Sequence, residues 1–177
     1  MMSAMTWTAP QIDRVEPAFV GDERALLDGF LDYHRQTLLW KCAGLTADQL
    51  KTAPVEPSNL TLLGLVRHLA EVERSWFRDR VAGQQVDGLY CTDTNPDGDF
   101  DDVAGADAEA DLAAYLKECQ EARDAVAALP LEFTFVHPRR QQEISLRWVY
   151  LHMLEEYARH NGHADLIRER IDGTTGE

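Results

Sequence analysis

The stretch "SLRWVYLHMLEEYARHNGHADLIRERIDG", Ser145–Gly173, decides the fold. Serine is a favoured helix cap and glycine a favoured helix stop, so the segment reads as one long helix with both ends marked. Between them Leu146, Val149, Met153, Tyr157, His160, Ala164, Ile167 and Ile171 recur in steps of three and four, the period of one buried helical face. His160 takes a slot on that stripe. Glu156 stands one turn earlier, so the two side chains lie one above the other. His152 and His163 border the same face, whereas Glu155, Arg159, Asp165 and Glu169 point the other way. A carboxylate among apolar residues is costly unless it is paired or bound to a metal. A Glu and a His one turn apart can both reach one divalent ion.

Three further helices follow from the same period. "DERALLDGFLDYHRQTLLWKCAG", from Asp22, opens with acids and closes on Gly44, with a stripe of Leu27, Phe30, Leu31, Leu38 and Leu45 that includes His34. After a connector with a short helical turn and two prolines, "LTLLGLVRHLAEVERSWFRDRVAG" begins behind Ser58 or Asn59 as cap and ends at Gly83. Leu62, Leu65, Val66, Leu69, Val72, Trp76 and Phe77 form its apolar face, with His68 at the edge. "AEADLAAYLKECQEARDAVAAL", from Ala108, places Leu112, Leu116, Cys119 and Ala122 or Arg123 on its stripe. A short β-like stretch, Glu132 to Val136, and a basic turn precede the last helix. The reading is all-α: a four-helix bundle over 21–173, with an N-terminal arm at 1–20, loosely ordered, and a tail at 174–177. The short first link makes its helices antiparallel neighbours; the long second link permits a crossover that runs the second and third helices parallel.

The chain has 177 residues, 45% hydrophobic and 27% charged, as expected of one globular domain. A formal net charge of −14 argues against non-specific binding to nucleic acid or an anionic membrane. No apolar run suits a membrane span, and the N-terminus lacks the pattern of a secretory signal. Cys42, Cys91 and Cys119, an odd number, read as free thiols in a reducing cytoplasm.

The third ligand beside Glu156 and His160 should come from another helix. His68 is the first candidate and His34 the reserve. Three protein ligands leave an open position, the arrangement of catalytic rather than structural zinc. The plainer alternatives are a hydrogen-bonded core histidine at His34 and an ion pair from Arg35 or Arg67 to Glu156. "DTNPDGDFDDVA", from Asp93, imitates a calcium loop at Asp93, Asn95, Asp97, Gly98 and Asp101, but its twelfth position is Ala104 rather than glutamate, so turn chemistry explains it better. Arg139-Arg140 forms a small basic patch, either a solvated turn or an anchor for a carboxylate or a sugar-thiol.

"GLVRHLAEVERSWF", from Gly64, and "LHMLEEYARHNGHADLIRERIDG", from Leu151, resemble the DinB/YfiT-like superfamily, in particular its branch of uncharacterised and mycothiol-dependent metalloproteins. The likeness covers about residues 20 to 173. It implies an up-down-down-up bundle with its crossover between the second and third helices and a divalent metal at one end. Many members use three histidines; here the ligands map to His68, Glu156 and His160, so Glu156 departs from that pattern and matches the His, Glu, His set of the maleylpyruvate isomerase branch. The resemblance implies one divalent ion (zinc first; nickel, iron or manganese as alternatives) and mycothiol as co-substrate. It also implies an S-transferase or thiol-dependent isomerase in which a metal-bound thiolate attacks an electrophile. His163 and His152 are then candidates for proton transfer, and Arg139, Arg140 and His34 for cofactor binding. The partners are a small-molecule thiol and an electrophile, with the chain a monomer or homodimer. The rival class is a non-catalytic metal-binding protein of stress or detoxification.

Overall fold

The computed structural model describes residues 6–176; residues 1–5 of the N-terminal arm and Glu177 of the tail lie outside the described residues. The chain is mostly helical. In order it runs α1 (Glu23–Cys42), α2 (Ala47–Leu50), α3 (Leu62–Glu73), α4 (Gly98–Asp101), α5 (Ala108–Val126), β1 (Thr134–Val136), β2 (Glu143–Ser145) and α6 (Leu146–Asp172). Beyond Glu73 the helix continues from Arg74 to Val81 with the wider π spacing. That widening turns both Glu73 and the later pair Trp76 and Phe77 inward.

The helix ends follow side-chain chemistry. Asp22 accepts the Ala25 amide, Asp107 those of Glu109 and Ala110, and Ser145 that of Trp148. Gly173 closes α6 at φ +79°, a conformation that favours glycine. The α3 cap differs from expectation: Thr61, not Ser58 or Asn59, accepts the Gly64 amide. Ser58 instead accepts the Leu60 amide within the connector.

α1 packs chiefly on α6 and α3 chiefly on α5, with further contacts from α3 to α1 and α6. Leucines dominate the interior, including Leu31, Leu38, Leu62, Leu65, Leu69 and Leu146, all at or near zero exposure. Two apolar positions assigned inward are open instead: Phe30 is 49% exposed and Leu116 52%, and Tyr115 takes the buried place on α5. Tyr115 wins because its hydroxyl has a partner there. Arg35 of α1 donates to both oxygens of Glu73 on α3, at 2.7 and 2.6 Å, the Tyr157 hydroxyl of α6 donates to Glu73 at 2.8 Å, and the Tyr115 hydroxyl lies 2.9 Å from that of Tyr157. Each of the four long helices contributes to this buried hub.

The N-terminal arm is docked rather than loose over its described part. Thr8 bridges to Thr46, the Ala9 amide donates to the Leu45 carbonyl, and Ala9 is buried. The β-like stretch has a partner beyond the basic turn: β1 and β2 pair antiparallel, Phe135 opposite Ile144. The Arg139-Arg140 turn is therefore the tip of a hairpin leading directly into α6.

Candidate metal centre

His68, Glu156 and His160 come together, each offering a ligand atom within 4.8 Å of the others. Among the described residues no other group of His, Cys, Asp or Glu side chains does so, the acids of the calcium-like loop included. The His68 and His160 rings meet edge to face at 4.7 Å between centroids. Glu156 Oε2 lies 3.5 Å from His160 Nε2, and Glu156 Oε1 lies 3.5 Å from His152 Nε2. The two arginines that could have neutralised Glu156 are engaged elsewhere, Arg35 with Glu73 and Arg67 with Asp111. Among the described residues Glu156 faces only histidines, and no Lys or Arg pairs with it.

The slot on α6 that the period gave to His160 belongs to Asn161, 6% exposed, whose amide donates to the His34 carbonyl at 3.0 Å. The His160 side chain is 13% and that of Glu156 27% exposed, so the cluster lies at the edge of the core, where a small molecule can reach it. Burial, then the neighbouring His68 and His163, push His160 down to about 4. It is therefore neutral near pH 7, the form that binds metals.

His68 is aimed by a residue that the sequence reading missed. The acid-rich link between α3 and α5 folds back as α4, and Asp99 Oδ2 sits 2.8 Å from His68 Nδ1. A carboxylate only accepts, so Nδ1 carries a proton, which leaves Nε2 as the ring's available ligand atom. Phe100 stacks on the His68 ring at 5.1 Å. A side chain at Gly64 would meet Phe100 at 2.9 Å, so glycine is what lets this link press so close to α3. Arg67 fastens the same segment by donating to the carbonyls of Gly98 and Asp99, and Glu71 accepts the amides of Leu89 and Tyr90. The only sequence signal for Asp99 was its membership in an acid-rich loop, where the calcium-like spacing drew attention to its neighbours.

The other candidates separate. His163 approaches His160, Nδ1 to Nδ1 at 3.4 Å, on the side away from Glu156. His152 stacks on Trp148 at 5.0 Å and meets Trp76 edge-on at 4.7 Å. His34 is not in the cluster; it faces Asn161, and burial lowers its pKa. Arg139 and Arg140 sit at the hairpin tip, where their amides donate to His137 Nδ1. Burial pushes Cys42 and Cys119 up to about 12, and burial with Asp99 pushes Cys91 up to about 11, so none of these free thiols is a ready thiolate. A concavity of about 640 Å³ lies between Arg24, Asp32, Arg123 and Tyr150 and includes none of the cluster.

Against known families, the model of mycothiol-S-transferase matches residues 26–173, most of the chain and every residue of the cluster. The chain belongs to that family. It thereby falls in the DinB/YfiT-like group of mycothiol-dependent metalloproteins. No curated protein and no solved structure matches it. No helix among the described residues of this family member is long and apolar enough to cross a membrane.

Proposed function

We propose that this mycothiol-S-transferase family member is a metal-dependent enzyme that joins mycothiol to an electrophile, with His68, Glu156 and His160 holding one divalent ion. The observation that carries this reading is a carboxylate with no Lys or Arg partner among the described residues, one turn from a neutral histidine and within reach of a second on another helix. Two imidazoles and one carboxylate suit zinc and leave a position open, and nickel, iron or manganese accept the same donors. A divalent ion in such a set supplies the positive charge that favours a thiolate over a thiol near neutral pH.

The chain's own residues do the rest. Asp99 holds the His68 ring by its Nδ1 proton, and His163 Nδ1 lies 3.4 Å from His160 Nδ1, so both rings are engaged through Nδ1 and offer Nε2 to the centre. His152 stands between the carboxylates of Glu155 and Glu156, at 3.6 and 3.5 Å, placed to take the thiol's proton. With every cysteine of the chain holding its proton, the attacking sulfur comes from the co-substrate. The four long helices form the up-down-down-up bundle of 21–173, with the α3–α5 crossover supplying Asp99.

The test is consumption of mycothiol and a chlorinated nitrobenzene, followed by mass of the adduct, before chelation, after chelation and after reloading with zinc. Adduct formation that stops on chelation and returns with zinc is expected. Adduct formation by metal-free protein contradicts the reading, and a tightly held ion without turnover of any thiol supports the non-catalytic rival.

A further inference from the structure

Most arginines of this acidic chain are committed to carboxylates: Arg35 to Glu73, Arg67 to Asp111, Arg123 to Asp32, and Arg147 to Glu23 and Glu132. Arg80, Arg139 and Arg140 take part in no ion pair among the described residues, yet they gather in one place. Burial lowers the pKa of Arg80, and the charges of Arg139 and Arg140 lower it further, while Asp79 opposes them. The Arg80 guanidinium lies 4.5 Å over the Trp76 ring and that of Arg140 6.0 Å from Trp148, and the two indoles are 5.5 Å apart. Arg80 also donates to Ser75 Oγ. His137, buried beneath the hairpin tip, accepts the Arg139 and Arg140 amides and so fixes where that pair sits. A hollow of about 260 Å³ opens between Arg140 and Trp148; Glu143 lines it too, with its carboxylate bonded to Thr134. Crowding like charges is unfavourable, and an oxyanion that accepts from several guanidinium groups relieves it.

This cluster and the metal centre share one ridge. Trp148, His152, Glu156 and His160 follow one another at four-residue steps along α6, and His152 touches both Trp148 and Glu156. The eight residues from Trp148 to Glu156 cover about 12 Å of helix axis.

We propose that the electrophile is an elongated anion: its carboxylate or similar oxyanion is held by Arg80, Arg139 and Arg140, its body lies over Trp148 and His152, and its reactive carbon, about 12 Å from the anion, meets the thiol beside Glu156. This assignment rests on the transferase reading above. With an aryl chloride, the thiol's proton leaves, its sulfur bonds to the ring carbon, the C–Cl bond breaks, and chloride departs with the electron pair.

The full-length zinc-loaded protein with mycothiol is offered three probes made on one reactive ring. These are the 4-chloro-3,5-dinitrobenzoyl amides of 6-aminohexanoate, of its methyl ester and of glycine. The long carboxylate is expected to have a kcat/KM at least about tenfold above both others, the scale of a charge-assisted hydrogen bond. In Arg139→Gln/Arg140→Gln, and separately in Arg80→Gln, that preference should fall about tenfold. The unreactive 4-amino counterpart of the long carboxylate gives a second readout by calorimetry, with its Kd weakened by the same substitutions. Arginine-dependent binding of this inert analogue without any turnover keeps the anion site and discards the transferase reading. Turnover with equal use of carboxylate and ester keeps the transferase reading and overturns the anion site. Equal use of the glycine and hexanoate amides overturns the distance. Substitutions that raise KM for mycothiol alone reassign the arginines to the thiol and overturn the proposal.

Discussion

Glu156 and Tyr157 are consecutive on α6 and face two different kinds of polar environment. Tyr157 enters the hub of Arg35, Glu73 and Tyr115, where the carboxylate of Glu73 has a guanidinium on both oxygens and a hydroxyl besides. Glu156 enters the cluster with His68 and His160, where the carboxylate meets only imidazoles at 3.5 Å or beyond. The hub lies at the centre, with Glu73 at zero exposure; the cluster lies at the rim. A buried charge that is matched holds helices in register. A half-exposed charge left unmatched is free to bind something else. The hub also serves the cluster, because it fixes the rotation of α6 and hence the direction of Glu156 one residue away.

The comparison is broken most severely by removing the hub's charge. Glu73→Gln leaves the buried Arg35 with only Asp32, 2.8 Å away, as its counter-ion and should cost about 3 kcal/mol of unfolding free energy in the metal-free protein. Glu156→Gln should cost less than about 0.5 kcal/mol in the same chemical denaturation. Equal losses would mean that the two carboxylates do the same structural job.

Next in size is the cluster's own function. His160→Ala should weaken zinc binding by more than about 100-fold, since loss of an outer partner alone costs 10–100-fold. Its helical circular dichroism should remain. His34→Ala should keep the metal, because His34 faces Asn161 rather than the cluster. Asp99→Asn should weaken zinc about tenfold by calorimetry, since an amide can donate to His68 Nδ1 and favour the wrong tautomer.

A smaller effect is the acid response of the metal-free protein. His160 has a folded pKa of about 4 against 6.5 for the ordinary side chain, so the unfolded chain binds the extra proton between those values. Stability is therefore full above about pH 6.5 and falls as pH drops toward 4, by about 1 kcal/mol from this group at pH 5.5. Thermal unfolding at pH 7.5 and 5.5, compared with His160→Ala, isolates it; the alanine variant should show the smaller drop. The smallest effect is expected at the calcium-like loop. Asp93→Asn with Asp97→Asn should leave zinc binding unchanged, and a micromolar calcium affinity lost in that variant would show the loop to be a site after all.

Much of this was legible from period and caps. Ser145 and Gly173 bound α6 as their chemistry requires, and the convergence of His68, Glu156 and His160 was legible because Glu156 and His160 stand one turn apart on an otherwise apolar face and His68 borders another. His160 was nevertheless read one place too deep. A three-or-four-residue step cannot distinguish position 160 from 161; the exchange between Asn161 and the His34 carbonyl settles it. Tyr115 over Leu116 fails for a similar reason, because hydropathy ranks leucine first while the buried hydroxyl partner lies on another helix. Asp99 was illegible because its role depends on Gly64 admitting Phe100, a contact between segments 36 residues apart. β2 was hidden inside a polar run whose strand character comes only from pairing with β1.

X-ray absorption at the zinc K-edge of the tag-free, zinc-loaded chain reads directly what surrounds the ion. Without added thiol, one zinc per chain is expected with only nitrogen and oxygen neighbours at about 2.0–2.2 Å, and imidazole scattering that is reduced in His160→Ala. A sulfur neighbour at about 2.3 Å before any thiol is added would place a cysteine of the chain on the metal and contradict the His68, Glu156, His160 assignment.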